Sequence, residues 1–136
     1  MAAFSMTDCY IAIAGVDRSQ YIKSVTVHVE AAELDSTDFA DSGWTVPITG
    51  IKSGNVQLTF NQDMAASQLD SILWPLMFST QTFEIRATNS AVGTSNPKYT
   101  GSMLIREYTP LTGGVGDLAE VSVTFPLSGA LIRATA

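Results

Sequence analysis

Two residue types that build many catalytic and metal centres are almost missing from this 136-residue chain: Cys9 is its only cysteine and His28 its only histidine. A lone cysteine makes neither an internal disulfide nor a cysteine-rich zinc cage. A lone histidine leaves little material for acid–base work. Charge is scarce too, at 15% of residues against the roughly 25% usual for soluble domains. Basic groups are the scarcer sign, seven Lys and Arg against thirteen Asp and Glu, for a formal charge of −6. That balance argues against electrostatic binding of nucleic acid or of an anionic membrane surface. No apolar run approaches the ~20 residues that cross a bilayer, so no membrane role is expected. Residues 1–16 lack a basic start and do not read as a secretory signal. Apolar residues are plentiful at 46%, and a chain of this length buries about two thirds of its unfolded surface on folding. The expectation is one small acidic domain over residues 1–136.

Most of the chain is written in period two. Val25, Val27 and Val29 alternate with Ser24, Thr26, His28 and Glu30. Val56, Leu58 and Phe60 alternate with Asn55, Gln57 and Thr59, as do Phe83, Ile85 and Ala87 with Glu84, Arg86 and Thr88. Val121, Val123 and Phe125 repeat the pattern after Glu120. Each is a half-buried strand by the alternation rule. Residues 98–108 are apolar on both phases around Met103-Leu104-Ile105, which predicts a central strand covered on both faces. Shorter strands are expected at 9–14 and 130–133, with loops where Gly, Pro, Ser and Asn cluster at 89–97 and 110–116.

One segment departs from this period. Leu69, Ile72, Leu73 and Leu76 fall at i, i+3, i+4 and i+7, a helical stripe. The spacing predicts a helix over about 63–78, capped by Asn61 or Asp63 and ended or kinked by Pro75. The fold expected is mainly β: a sandwich or flattened barrel with one flanking helix. Between strands lies a polar loop over about 33–47, in which Glu33, Asp35, Asp38 and Asp41 stand without a base. Loops longer than about 12 residues in small domains are usually functional or mobile.

No catalytic constellation emerges, and no enzyme is expected. Asp35, Asp38 and Asp41 are three apart, whereas a calcium loop needs alternate ligands, a central glycine and a terminal glutamate. A solvated acidic loop is the simpler reading. Gly114-Val115-Gly116-Asp117-Leu118-Ala119 fits a loose glycine fingerprint, but a strand follows where a helix N-terminus must meet the pyrophosphate. His28 lies on the polar phase of its strand with no nucleophile elbow to serve, though any of the 14 serines is a conceivable partner. Cys9, beside Tyr10 and Ile11, reads as a small buried hydrophobe. Trp74, Met77 and Phe78, with Leu73 and Leu76, exceed what one helix face buries and mark a subunit contact.

The run Leu34-Asp35-Ser36-Thr37-Asp38-Phe39, then Ser42-Gly43-Trp44 and Gly50-Ile51-Lys52-Ser53-Gly54 leading into a strand, resembles the major tail tube proteins of long-tailed (siphovirus-like) bacteriophages. So do the strand–helix–strand passage from Val56 to Ala87 and the close from Val121 to Ala130. The resemblance covers about residues 20–134 and rests on degenerate motifs. It implies a non-catalytic structural protein of the virion tail, made in the bacterial host cytoplasm. Such subunits form hexameric rings that stack into a hollow tube, the conduit for DNA ejection. Partners at the tube ends would be the tape measure, terminator and distal tail proteins. Cofactors are not implied. Leu34, Asp35, Asp38, Phe39, Asp41 and Trp44 would belong to the loop that reaches the adjoining ring. Sheet edges would pair across subunits to line the lumen, and Arg86 and Arg106 would pair between copies.

Glu84, Glu107 and Glu120, on polar strand phases, are the candidate lumen acids. Acids there would repel phosphate, so that DNA passes without binding. Small phage capsid decoration proteins share such a composition, and a ligand-binding β-sandwich using Trp44, Tyr99 or Tyr108 as a platform is a further alternative. Exchanging lumen acids for lysine is expected to slow DNA passage while leaving assembly intact. Particles that eject DNA at the normal rate would remove the lumen role.

Overall fold

The structure is a computed structural model describing residues 3–136. In chain order its elements are β1 (Tyr10–Ile13), β2 (Val16–Asp17), β3 (Ile22–Asp35), β4 (Pro47–Asn61), α1 (Leu69–Leu73), β5 (Thr80–Arg86), β6 (Lys98–Leu104), β7 (Glu120–Pro126) and β8 (Ile132–Ala134). Two antiparallel sheets form, ordered β2-β1-β5-β6-β8 and β3-β4-β7. The chain is thus the mainly-β sandwich with a flanking helix that its alternation implies.

The core follows directly from the period-two residues. Val56, Leu58 and Phe60 of β4 stand opposite Phe125, Val123 and Val121 of β7, and all six are buried. Ile11, Ile13, Phe83, Ile85 and Met103 close over them from the five-stranded sheet. Large side chains paired across strands on one face are the stabilising unit of such a sheet.

The helix is much shorter than its apolar stripe suggests. Asn61 is the last residue of β4, and the Asp63 carboxylate accepts from the Ala65 amide at 3.0 Å, so neither caps α1. Ser67 then adopts a left-handed φ of 62°, which interrupts any helix begun earlier. Gln68 precedes α1 without a side-chain cap. At the other end Pro75 turns the chain into a single 3-10 turn over Trp74–Leu76. Leu69 and Leu73 are buried and Ile72 and Leu76 half-buried, so the stripe faces the core even though only five residues are α-helical.

Residues 98–108 are also shorter as a strand, and not covered on both faces. β6 ends at Leu104, which is exposed between buried Met103 and Ile105. The outer phase is only partly covered there, so the apolar run reflects one buried phase and one open residue. After Ile105 the chain leaves the sheet for a long loop.

The largest difference lies between β3 and β4. The loop expected over 33–47 contracts to 36–46, because the strands pair from Ile22↔Phe60 as far as Asp35↔Pro47. Val25 and Val27 pack on the core, whereas Val29 does not. From residue 28 to 53 only Ala31, Asp41 and Gly50 are even half-buried, so the hairpin continues as a two-stranded arm. Its root is Gly54, opposite Val29. A Cβ at Gly54 would lie 2.5 Å from the His28 carbonyl and 2.7 Å from Leu127 Cδ1. Gly54→Ala is expected to cost about 1–3 kcal/mol through overpacking, measured by urea unfolding; an unchanged midpoint would show the root to be loose.

Candidate functional site

The tip of the arm is built by its own acids. Asp35 accepts from the Thr37 amide at 2.8 Å and from the Thr37 hydroxyl. Thr37 Oγ1 in turn accepts from the Val46 amide at 2.8 Å. The Asp38 carboxylate takes the Ala40 amide at 2.9 Å, and Asp41 reaches back to the Asp38 amide at 2.8 Å. This reciprocal capping box starts a 3-10 turn over Phe39–Asp41. The three acids are therefore occupied with backbone donors. Among the described residues no group of three or more His, Cys, Asp or Glu is placed to hold a metal. What the tip presents outward is aromatic: Phe39 is fully exposed and Trp44 largely so.

The stem adds an apolar face. Leu34 pairs with Ile48, and both are about half exposed. A Cβ at Gly50 would lie 3.2 Å from Leu34 Cγ and 3.3 Å from Ala32 Cβ, so Ala32, Leu34 and Gly50 share one side. By strand alternation that side is opposite the one on which Val25 and Val27 meet the core. Ile51, at the register irregularity, is almost wholly exposed. Along the arm, apolar groups point away from any surface of their own chain.

The outer face of the three-stranded sheet has the opposite character. Its cross-strand rows are Ser24/Thr59/Ser122, Thr26/Gln57/Thr124, His28/Asn55 and Glu30/Ser53. Thr59 and Ser122 place their hydroxyl oxygens 3.3 Å apart. Lys23 forms an ion pair with Glu120, and His28 Nε2 lies 3.7 Å from Glu30. The wall is hydroxyl- and amide-rich with little net charge.

The remaining sequence candidates are distributed. Glu107 accepts from the Thr124 amide of β7 at 2.9 Å. Glu84 is on the outer face of the other sheet, so no one face carries both it and Glu120. Arg86 is engaged within the chain. Its guanidinium stacks 3.9 Å from the Tyr10 ring centroid, Nη1 donates to the Ser90 carbonyl at 2.7 Å, and Nε lies 3.2 Å from Glu84. That last contact is a charge contact rather than an aligned hydrogen bond, since Nε has no hydrogen-bond partner. Arg106 is exposed. Trp74 and Phe78 are exposed and Met77 half-buried. Phe78 has a φ of 62°, held by its amide to the Ile105 carbonyl at 2.7 Å. A bulky residue in that region is a strained outlier.

Cys9 is half-buried and donates to the Arg86 carbonyl at 3.0 Å; burial raises its pKa, which suppresses the thiolate. His28 is exposed on the polar wall, as its strand phase implies. The three platform aromatics sit on separate elements: Trp44 at the arm tip, Tyr99 in β6 and Tyr108 after it. The Tyr108 hydroxyl accepts from Gln62 at 2.9 Å and donates to Asp70 at 2.7 Å, clasping the helix region. Sequence reasoning missed Leu111, Val115 and Leu118, all exposed in the loop after β6. The available signal was that loop's length, comparable to the acidic one.

No family pattern and no curated protein matches the sequence. Among solved structures, the fold is similar to a chain in the "Virion of native gene transfer agent (GTA) particle", with a TM-score of 0.70 and 15% identity, covering 97% of this chain and 99% of that one. It is also similar to a chain in the "Tail of empty GTA particle computed with helical refinement, C6 symmetry", with a TM-score of 0.64 and 16% identity, covering 85% of this chain and 83% of that one. At these identities the likeness is one of fold.

The tip also has a pH dependence with a definite sign. The Thr37 hydroxyl and then its amide lower the Asp35 pKa below the ordinary 3.8. The contribution of Asp35 to tip order is thus present above that value and lost as pH falls through the lowered one. Acidification is expected to lower the protection factor of the Thr37 amide, its exchange rate corrected for the intrinsic rate at each pH, before the core opens. Equal protection at both pH values would sink the account.

Proposed function

We propose that this chain is a non-catalytic structural subunit of a phage-like virion tail, acting as a single domain that assembles with copies of itself into stacked rings forming a tube. The observation that carries the reading is the β3–β4 arm. It is a preformed tip on a two-stranded stem, with apolar residues that its own chain leaves uncovered. Apolar surface displayed this way marks an interface, and head-to-tail contacts close into rings when the rotation allows. The fold neighbours are chains of a virion and of a C6-symmetric tail, which favours six subunits per ring. In this reading Leu34, Asp35, Asp38, Phe39, Asp41 and Trp44 reach the adjoining ring, while Trp74, Met77 and Phe78 meet a neighbour within the assembly.

The polar wall of the three-stranded sheet faces the lumen. With little positive charge the wall neutralises few phosphates, so DNA is held weakly and slides through. Glu120 and Glu30 lie on that wall, Glu107 borders it, and Glu84 turns outward. The tube is then a part of the virion made in the host cytoplasm, its ends meeting tape measure, terminator and distal tail proteins.

Negative-stain microscopy of the purified protein tests this reading. Long tubes with a central channel are expected, and only monomers or discrete trimers would overturn it. Replacing residues 31–52 with Asn-Gly joins Glu30 to Ser53, which already pair with their backbone groups turned toward each other, through a turn suited to a hairpin. That variant is expected to keep its fold by circular dichroism and to form no tubes. Tubes of normal length from it would remove the arm from assembly.

A further inference from the structure

The three-stranded sheet has two edges, β3 and β7, with no further strand of the described residues bonded to either. The Leu127 amide donates to the Gly54 carbonyl. By alternation, residues 121, 123 and 125 of β7 therefore bond toward β4, while residues 122 and 124 face away. Carrying that phase across β4 turns Ser24, Thr26, His28 and Glu30 toward β4. The N–H and C=O groups of Val25, Val27, Val29 and Ala31 then point off the free edge of β3. Beside this edge lies an open groove of about 370 Å³, lined in part by Met6, Cys9, Ile11, Ile22 and Val25. An uncovered valine-rich edge is a template for another strand.

On the far side, residues 105–110 run beside β7 in the opposite direction. Met103 bridges Leu127, Glu107 binds the Thr124 amide, and Pro110 accepts from Gln62 next to the start of β7. Arg106 to Thr109 form no backbone–backbone hydrogen bond among the described residues. Arg106, next to fully buried Ile105, points outward and has no ion-pair partner among the described residues.

We propose that the free edge of β3 receives the 105–110 segment of a second copy, antiparallel, with Arg106 of that copy beside Glu30. The direction is fixed by the sheet: β3 and β7 run the same way, and the segment runs against both. The level is fixed by barrel geometry. Within one chain Arg106 is level with Thr124, and so, through Gln57, with Thr26. A barrel whose strands tilt by about 36° has a shear equal to its strand number. With β3, β4, β7 and the segment from each subunit, the neighbour is offset by about four residues. One direction reaches Glu30 and the other reaches Ile22, beside Lys23. Arg106 meets an opposite charge only at Glu30, which faces outward with His28 Nε2 at 3.7 Å and no Lys or Arg ion-pair partner among the described residues. This contact rests on the ring reading and specifies which edges close the ring.

The test is a charge exchange followed by microscopy and sedimentation. Arg106→Glu and Glu30→Arg are each expected to slow tube formation at least tenfold, with folding checked by thermal melting. The double exchange is expected to restore the wild-type rate. Singles that assemble normally, or a folded double that stays as defective as the singles, would overturn the contact while wild-type tubes left the ring reading standing. As a second measurement, Glu30→Cys/Arg106→Cys on a Cys9→Ser background is oxidised after assembly. A covalent ladder of subunits supports the pairing, and assembled tubes without a ladder overturn it. Wild-type protein that forms no oligomer would overturn both readings together.

Discussion

The structure depends on β4 being bonded on both sides while one of its faces is buried. Val56, Leu58 and Phe60 supply the centre of the core, and the same three residues fix the register to β7 and, through it, the position of Val121, Val123 and Phe125. A slip of one residue between the two strands would turn the three buried side chains of one of them into solvent. With the root of the strand pinned this way, its continuation past Gly54 is held in direction even though nearly all of its residues are exposed. The arm is an extension of the core strand, and needs no core of its own to be placed.

This arrangement divides the surface by chemistry. One sheet face is hydroxyl and amide, the arm is apolar with acids turned inward to its own backbone, and one strand edge is left open. The low charge fraction acquires a local explanation. Of the five acids in the arm region, Asp35, Asp38 and Asp41 are used as hydrogen-bond acceptors for a turn. Composition registered them as a negative patch, while their geometry makes them structural.

Much of the fold was legible because a half-buried strand writes its burial into a period of two. The strands around Val56, Phe83 and Val121 needed no tertiary information. The helix was overextended because apolar spacing at Leu69, Ile72, Leu73 and Leu76 is a statement about which face is buried, whereas helix length is set by breaks such as the left-handed Ser67. The arm was read as a loop for the complementary reason: once a hairpin leaves the core, neither face is buried and alternation vanishes, although backbone pairing continues. Arg86 shows what sequence cannot separate. Its contacts to Glu84 and Ser90 are local in the chain, but its stacking on Tyr10 depends on β1 lying next to β5. Phe39 and Trp44 lie exposed at the arm tip, the kind of placement a polar loop makes legible in sequence.

The register irregularity at Gly50 and Ile51 has a mechanical meaning. A sandwich resists bending because two sheets share one packed interior, whereas a two-stranded ribbon resists mainly through its hydrogen bonds. From the irregularity to Asp35 the ribbon is a slender beam, and an irregularity in pairing is where such a beam yields first. In an array of these subunits, deformation would gather in the arms and leave the bodies rigid. The curvature a filament tolerates would then be set by a few residues around Gly50, and a change of stiffness there would alter how the whole filament flexes without altering any subunit's core.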